Sequence, residues 1–185
     1  AMKAEREGNI GRIGPISRIG QISFFATPEA QENLRQILAS WEGTPYRHQC
    51  GVKQGGTDCI QFVGRVMQEA GAVEERVFPE YPPDWHLHQE EERLLNAFLE
   101  LIHRGIGIAV DPDEVVNGDV ILFKFGKCCS HSAIYLDGQI YQAVSGMGVL
   151  KTQYQDGQWY PRRRFAFRFV GLQHRSNMSY WTYIP

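Results

Sequence analysis

The hydrophobic period of this chain changes once, near residue 105, and that switch restricts the folds open to it. Ahead of the switch, Ala30, Leu34, Ile37, Leu38 and Trp41 recur at helical spacing. Thr27 and Pro28 supply a cap and a preset first turn, so a helix is expected over 28–41, stopped by Gly43-Thr44-Pro45. A glycine-rich loop follows, with glycines at 51, 55 and 56, and then Ile60, Phe62, Val63, Val66 and Met67 line a second helical face that stops near Gly71. Asp58 sits where its N-cap belongs, which puts Cys59 on the first turn. A third helix carries Leu94, Leu95, Phe98, Leu101 and Ile102 and ends before Gly105. Beyond it, residues 119–125, 132–136, 139–144, 149–153 and 165–170 are short runs of strand propensity, with Asp137-Gly138 as a hairpin turn between two of them. Helices first and strands afterwards imply an α+β fold, with helices packed on one face of an antiparallel sheet.

At 185 residues the chain suits one domain. Residues 1–27 read apart from the rest: Arg12-Ile13-Gly14 recurs as Arg18-Ile19-Gly20, and glycines stand at 8, 11, 14 and 20. A flexible N-terminal arm is expected there, with the folded domain over 28–185. Apolar content of 43%, charged content of 22% and a net charge of -2 describe a globular chain. With 19 Lys and Arg against 21 Asp and Glu there is no basic surplus for nucleic acid, and the run Arg162-Arg163-Arg164 is read as a solvated face at a strand entry. No stretch reaches the ~18 apolar residues of a membrane span, and Met2-Lys3-Ala4-Glu5-Arg6-Glu7 lacks the apolar centre of a secretory signal. A cytoplasmic location is therefore expected, with lysis or carriage in a larger particle as the ways out.

Position, more than identity, marks Cys59 as chemically interesting. A thiol on a first helical turn meets unpaired backbone N–H groups and the positive end of the helix dipole, which favours the thiolate and places oxyanion donors beside it. A buried cysteine packed as a small apolar residue is the other reading of the same position. Cys50, Cys128, Cys129 and His131 bring metal-ligand chemistry to mind, but they lack the two-residue gaps of a zinc site, and Cys128 and Cys129 are adjacent. No metal is expected. Free thiols are the expectation for all four cysteines, and no phosphate-cradling or dinucleotide motif calls for a cofactor.

Gly43-Thr44-Pro45-Tyr46, the glycine-rich loop, Asp58-Cys59 opening a helix, Gly118-Asp119-Val120-Ile121-Leu122-Phe123 and His131-Ser132-Ala133-Ile134-Tyr135-Leu136 together resemble the NlpC/P60 hydrolases, over residues 41–169. Tyr46-Arg47-His48-Gln49, Phe123-Lys124-Phe125-Gly126 and Arg163-Arg164-Phe165-Ala166-Phe167-Arg168-Phe169 resemble more narrowly the phage-tail and prophage cell-wall peptidases of that family. The resemblance implies a papain-like catalytic domain in which Cys59 is the nucleophile and His131, at the start of a strand, its base. It implies a third polar residue on the next strand. Many relatives have histidine there, whereas this chain offers Gln142, whose amide oxygen can accept the ring N–H. An outward-pointing strand glutamine is the alternative for that position.

Tyr46 is expected near the developing oxyanion, and Asp58 and Trp85 complete the set assigned to the oxyanion and substrate site. Tyr46 as a core residue, and Trp85 as a core residue beside solvent-facing His86 and His88, are the alternatives. Ile60 and Gln61 replace the small polar residue and glycine common in relatives, and their bulk is expected to narrow the cleft. The implied substrate is an amide bond in the stem peptide of peptidoglycan, next to a D-glutamyl or diamino-acid residue, with phage-tail or particle proteins as further partners. An amidase or acyltransferase acting on another substrate, or a binding or assembly module without turnover, uses the same residues differently.

Overall fold

The computed structural model describes residues 22–73 and 92–171. Helix α1 (Pro28–Trp41) begins as its sequence requires: the Thr27 hydroxyl accepts the Ala30 N–H at 3.2 Å, Pro28 occupies the first turn, and Leu34, Ile37, Leu38 and Trp41 form the buried stripe. A two-strand ribbon follows, β1 (Gly51–Val52) with β2 (Gly56–Thr57), and leads directly into α2 (Cys59–Glu69). Helix α3 (Arg93–His103) buries Leu94, Leu95, Phe98 and Leu101.

Six antiparallel strands make the sheet: β3 (Gly107–Val110), β4 (Val120–Phe125), β5 (Cys128–Leu136), β6 (Gln139–Val144), β7 (Gly148–Gln153) and β8 (Arg163–Phe169), in the order β3-β8-β4-β5-β6-β7. The α+β class read from the period switch is the observed one. Three departures are informative. Strand β3 was not expected; its Gly-Ile-Ala-Val run is short and mostly half-buried, and pairing with β8 at the sheet edge makes it a strand. Strand β5 starts at Cys128 instead of Ser132, so His131 lies inside a strand and not at its beginning. The expected arm also ends early: Ser23 bridges Val170, the Phe24 N–H donates to Phe169 O at 2.8 Å, and Phe25 is 2% exposed. Residues 1–21 lie outside the described part.

Alternation along the strands divides the core in two. Val120, Leu122, Ile134, Leu136, Tyr141, Ala143 and Phe167 face the helices. Ile121, Phe123, Ala133, Ile140 and Ala166 face the other way, where Tyr154 and Trp159 from the β7–β8 connection cover them. Burial on both faces explains why Val120-Ile121-Leu122-Phe123 is a continuous apolar run.

The Gly118-Asp119 pair that precedes β4 has separate structural duties. Asp119 is fully buried and receives both the Arg168 Nε (2.9 Å) and Nη2 (2.8 Å), plus the Val116 N–H at 2.8 Å, which ties the start of β4 to β8. Gly118 has φ +89°, and a Cβ there would come within 2.1 Å of the Phe25 ring. Gly118→Ala should therefore destabilise the fold by about 2–4 kcal/mol, since left-handed strain and overpacking add. Chemical denaturation would measure it, and a loss under about 0.5 kcal/mol would contradict this packing.

Candidate active site

Site geometry starts from a buried cap. Asp58 is 1% exposed; its Oδ1 accepts the Gln61 N–H at 2.9 Å and its Oδ2 the Gln49 N–H at 2.6 Å, with His48 Nδ1 3.6 Å away. One carboxylate thus starts α2 and fixes the loop before it. Asp58 was expected in the oxyanion and substrate set; each of its oxygens accepts one of these backbone donors, which a buried carboxylate needs. The same loop carries Tyr46, held by a parallel bridge to Thr57, by Arg47 N–H to Thr57 O and by Thr57 N–H to Pro45 O, both 2.9 Å. Burial pushes the Tyr46 hydroxyl up to about 12, helped by the negative charge that Cys59 and Asp58 can carry.

The second component is a break in the sheet. The β5–β6 ladder spans only Ile134–Leu136 against Gln139–Tyr141, while β5 continues back to Cys128 alongside β4. The first turn of α2 lies against this stretch: the Cys59 thiol donates to Ser130 O at 3.9 Å, and Ser132 Oγ donates to Cys59 O at 3.0 Å. Cys59 is therefore fastened to both sequence neighbours of His131. A β-bulge at this level, where Phe123 pairs with His131 and Lys124 with Cys129, leaves Ser130 without a partner in the β4–β5 register.

Gln142 is fully buried on β6, and its Oε1 lies 2.7 Å from His131 Nε2. The Gln142 amide nitrogen donates to Thr152 Oγ1 at 3.0 Å, which presents the oxygen to the ring and assigns the ring proton to Nε2. Nδ1 then carries the lone pair, and among the described residues it has no hydrogen-bond partner. The outward-pointing glutamine weighed from sequence is not what forms.

Electrostatics alter one expectation. Cys59 was expected to lean toward thiolate; instead burial, with the sulfur's residue 7% exposed and Asp58 beside it, pushes the thiol up to about 12, against a lowering by Ser132 and by the cysteine's own backbone. Burial also pulls His131 down to about 4, opposed by Gln142. The resting pair is thus neutral, thiol and imidazole.

Ile60 and Gln61 do not act on the cleft as expected. Ile60 belongs to the helix-side core, and the Gln61 amide lies against Gly51. Cys128 and Cys129 are fully buried, and the Cys129 N–H donates to Glu92 at 2.8 Å. All four cysteines are free, and no group of metal-ligating side chains occurs among the described residues. Trp85, His86 and His88 lie outside the described residues. Trp159, which the sequence reading passed over, stacks on the His131 ring at 4.9 Å and 30°. Its sequence signal is an aromatic residue in a connection that also carries Tyr154 and Tyr160.

Residues 43–168 match the NlpC/P60 family. The chain belongs to the NlpC/P60 family. The probable endopeptidase NlpC of Escherichia coli K12 is 29% identical over 129 residues, covering 68% of this chain and 70% of that protein. The murein DD-endopeptidase MepS/murein LD-carboxypeptidase of the same strain is 24% identical over 143 residues, covering 77% of this chain and 64% of its own length. A Staphylococcus aureus Mu50 NLP/P60-family protein, described as similar to lipoprotein, has a TM-score of 0.59 at 19% identity over 83% of this chain and 45% of that one. The shared fold is α+β with helices against an antiparallel sheet. No described helix is long and apolar enough to cross a membrane.

The low His131 value has a stability consequence. Between pH 6.5 and about 4 the unfolded chain binds the proton that the folded chain refuses, so stability is complete above 6.5 and is lost as pH falls through 4, by up to about 3 kcal/mol. Denaturant midpoints at pH 7, 5.5 and 4 should show this slope in the wild type and a shallower one in His131→Gln. Parallel slopes in the two proteins would contradict it.

Proposed function

We propose that this NlpC/P60 chain is a cysteine hydrolase that cleaves an amide bond in the stem peptide of peptidoglycan through an acyl-enzyme on Cys59. The observation that carries the reading is the 2.7 Å contact of His131 Nε2 with Gln142 Oε1, made where the Cys59 turn is fastened to Ser130 and Ser132. The substrate class follows from relatives named endopeptidase and murein DD-endopeptidase.

In this mechanism the thiol proton passes to His131 Nδ1 as sulfur attacks the amide carbonyl. A neutral resting pair makes this transfer part of the attack, so His131 works as a general base rather than as one half of a standing ion pair. The oxyanion is met by backbone N–H groups at the start of α2 and by the Tyr46 hydroxyl. Nδ1–H then protonates the leaving amine, and water releases the acid and restores the thiol. Gln142 holds the tautomer without adding charge.

The buried, raised Cys59 thiol favours a second reading, a wall-binding or assembly module with the same fold and no turnover. Digestion of purified bacterial sacculi separates the two. Wild type should release peptide fragments, Cys59→Ala and His131→Ala should lose roughly 10³-fold or more, and Gln142→Ala roughly 10-fold. Equal release by wild type and Cys59→Ala would end the hydrolase reading; binding of sacculi without release would support the module. Fragment masses that place the cut between sugar and peptide would replace endopeptidase with amidase.

A further inference from the structure

His131 sits in a box of aromatic rings. Trp159 stacks on it at 4.9 Å and 30°, Phe123 lies 5.9 Å away and Phe125 6.1 Å away at 85°. Trp159 is itself gripped edge-on by Phe123 at 5.8 Å and by Phe125 at 5.6 Å. The segment that carries it is pinned on both sides. Trp159 N–H donates to Asp156 O at 3.1 Å, Arg162 N–H to Trp159 O at 2.9 Å, and Arg163 clamps Asp113 at 2.6 Å while lying over the Tyr160 ring at 3.6 Å. At 7% exposure the indole is a built part of the site, not a loose surface ring.

This arrangement matters because, among the described residues, nothing charged is bonded to the imidazole. Its hydrogen-bond partner among the described residues is the neutral Gln142, yet general-base attack by a thiol creates an imidazolium. An indole face at stacking distance can favour that cation, it is nearer than the Phe123 and Phe125 rings, and Trp is the strongest aromatic for the purpose. The favour applies only once the proton has moved, so it acts on the transition state more than on the resting neutral ring.

We infer that Trp159 is the positioning residue for His131, fixing the plane of the imidazole and stabilising the imidazolium through its π face in place of a charged third residue. The inference rests on the assignment of Cys59 and His131 as nucleophile and base. It differs from a packing role in a way that can be measured. A tryptophan that merely fills space beside the ring would leave the rate of attack on Cys59 by an outside reagent unchanged when removed. A tryptophan that supports the cation would slow that attack when removed.

The test is alkylation by iodoacetamide at pH 7, read at Cys59 by mass spectrometry so that the other thiols do not contribute, in wild type, Trp159→Phe and Trp159→Leu. The rate should fall about 3-fold in the Phe variant, which keeps a weaker π face, and roughly 30-fold in the Leu variant. In a His131→Ala background, Trp159→Leu should leave the Cys59 rate unchanged, because the effect runs through the imidazole. Rates equal to or above wild type in the Trp159 variants, or an equal slowing without His131, would overturn the inference. If Trp159→Leu does not fold, the Phe variant decides alone by the same criterion. A protein that follows this order yet leaves sacculi intact supports the Trp159 role and sinks the hydrolase reading, so the two fail separately.

Discussion

A buried carboxylate at the head of α2 is the constraint on which the site depends. Asp58 must find donors once it leaves water, and it finds them in the Gln49 and Gln61 N–H groups, one from the loop and one from the helix. That requirement sets where the loop turns, where α2 starts and so where the Cys59 sulfur points. It also brings a negative charge to the positive end of the helix dipole. Burial raises the Cys59 thiol and the charge that positions this turn adds to the effect, so the thiol is protonated at rest.

The sheet answers this with a local defect. Continued in the same register, β5 and β6 would set Ser132 and His131 opposite Ala143 and Val144. The ladder instead stops at Ile134 and Tyr141, the bulge at Ser130 kinks β5, and the Cys59 turn is bonded to the exposed backbone and to the Ser132 hydroxyl. Hydrogen bonds that the ladder gives up are thus partly recovered by the helix start and by the His131–Gln142 contact. The far face of the sheet contributes Trp159, stacked on the His131 ring, with Phe123 and Phe125 beside it.

Much of this was legible in local pattern. Thr27-Pro28, Asp58-Cys59 and Asp137-Gly138 each carry a backbone preference that needs no tertiary help, and they mark a helix start, a helix start and a hairpin where the structure has them. Strand β3 and the early start of β5 were not legible, since Gly107–Val110 and Cys128-Cys129-Ser130 become strand only through their neighbours. Phe25 looked like part of an arm because its partner, the open face of Gly118, is distant in sequence.

Residue order by itself determined the α+β class, the family, and the placement of Cys59 on a first helical turn and of His131 and Gln142 on successive strands. The class and the helix start follow from hydrophobic period, caps and turns, which act over a few residues, and the family from the resemblance of the motifs strung along the chain. Only the tertiary structure decided the charge state of the pair, the Gln49 N–H that joins the cap at Asp58, and the presence of Trp159 over the imidazole. The physical reason is range: a pKa and a ring stack depend on what surrounds a group in space, and here those surroundings come from the loop before α2, the splayed β5 and β6, and the β7–β8 connection.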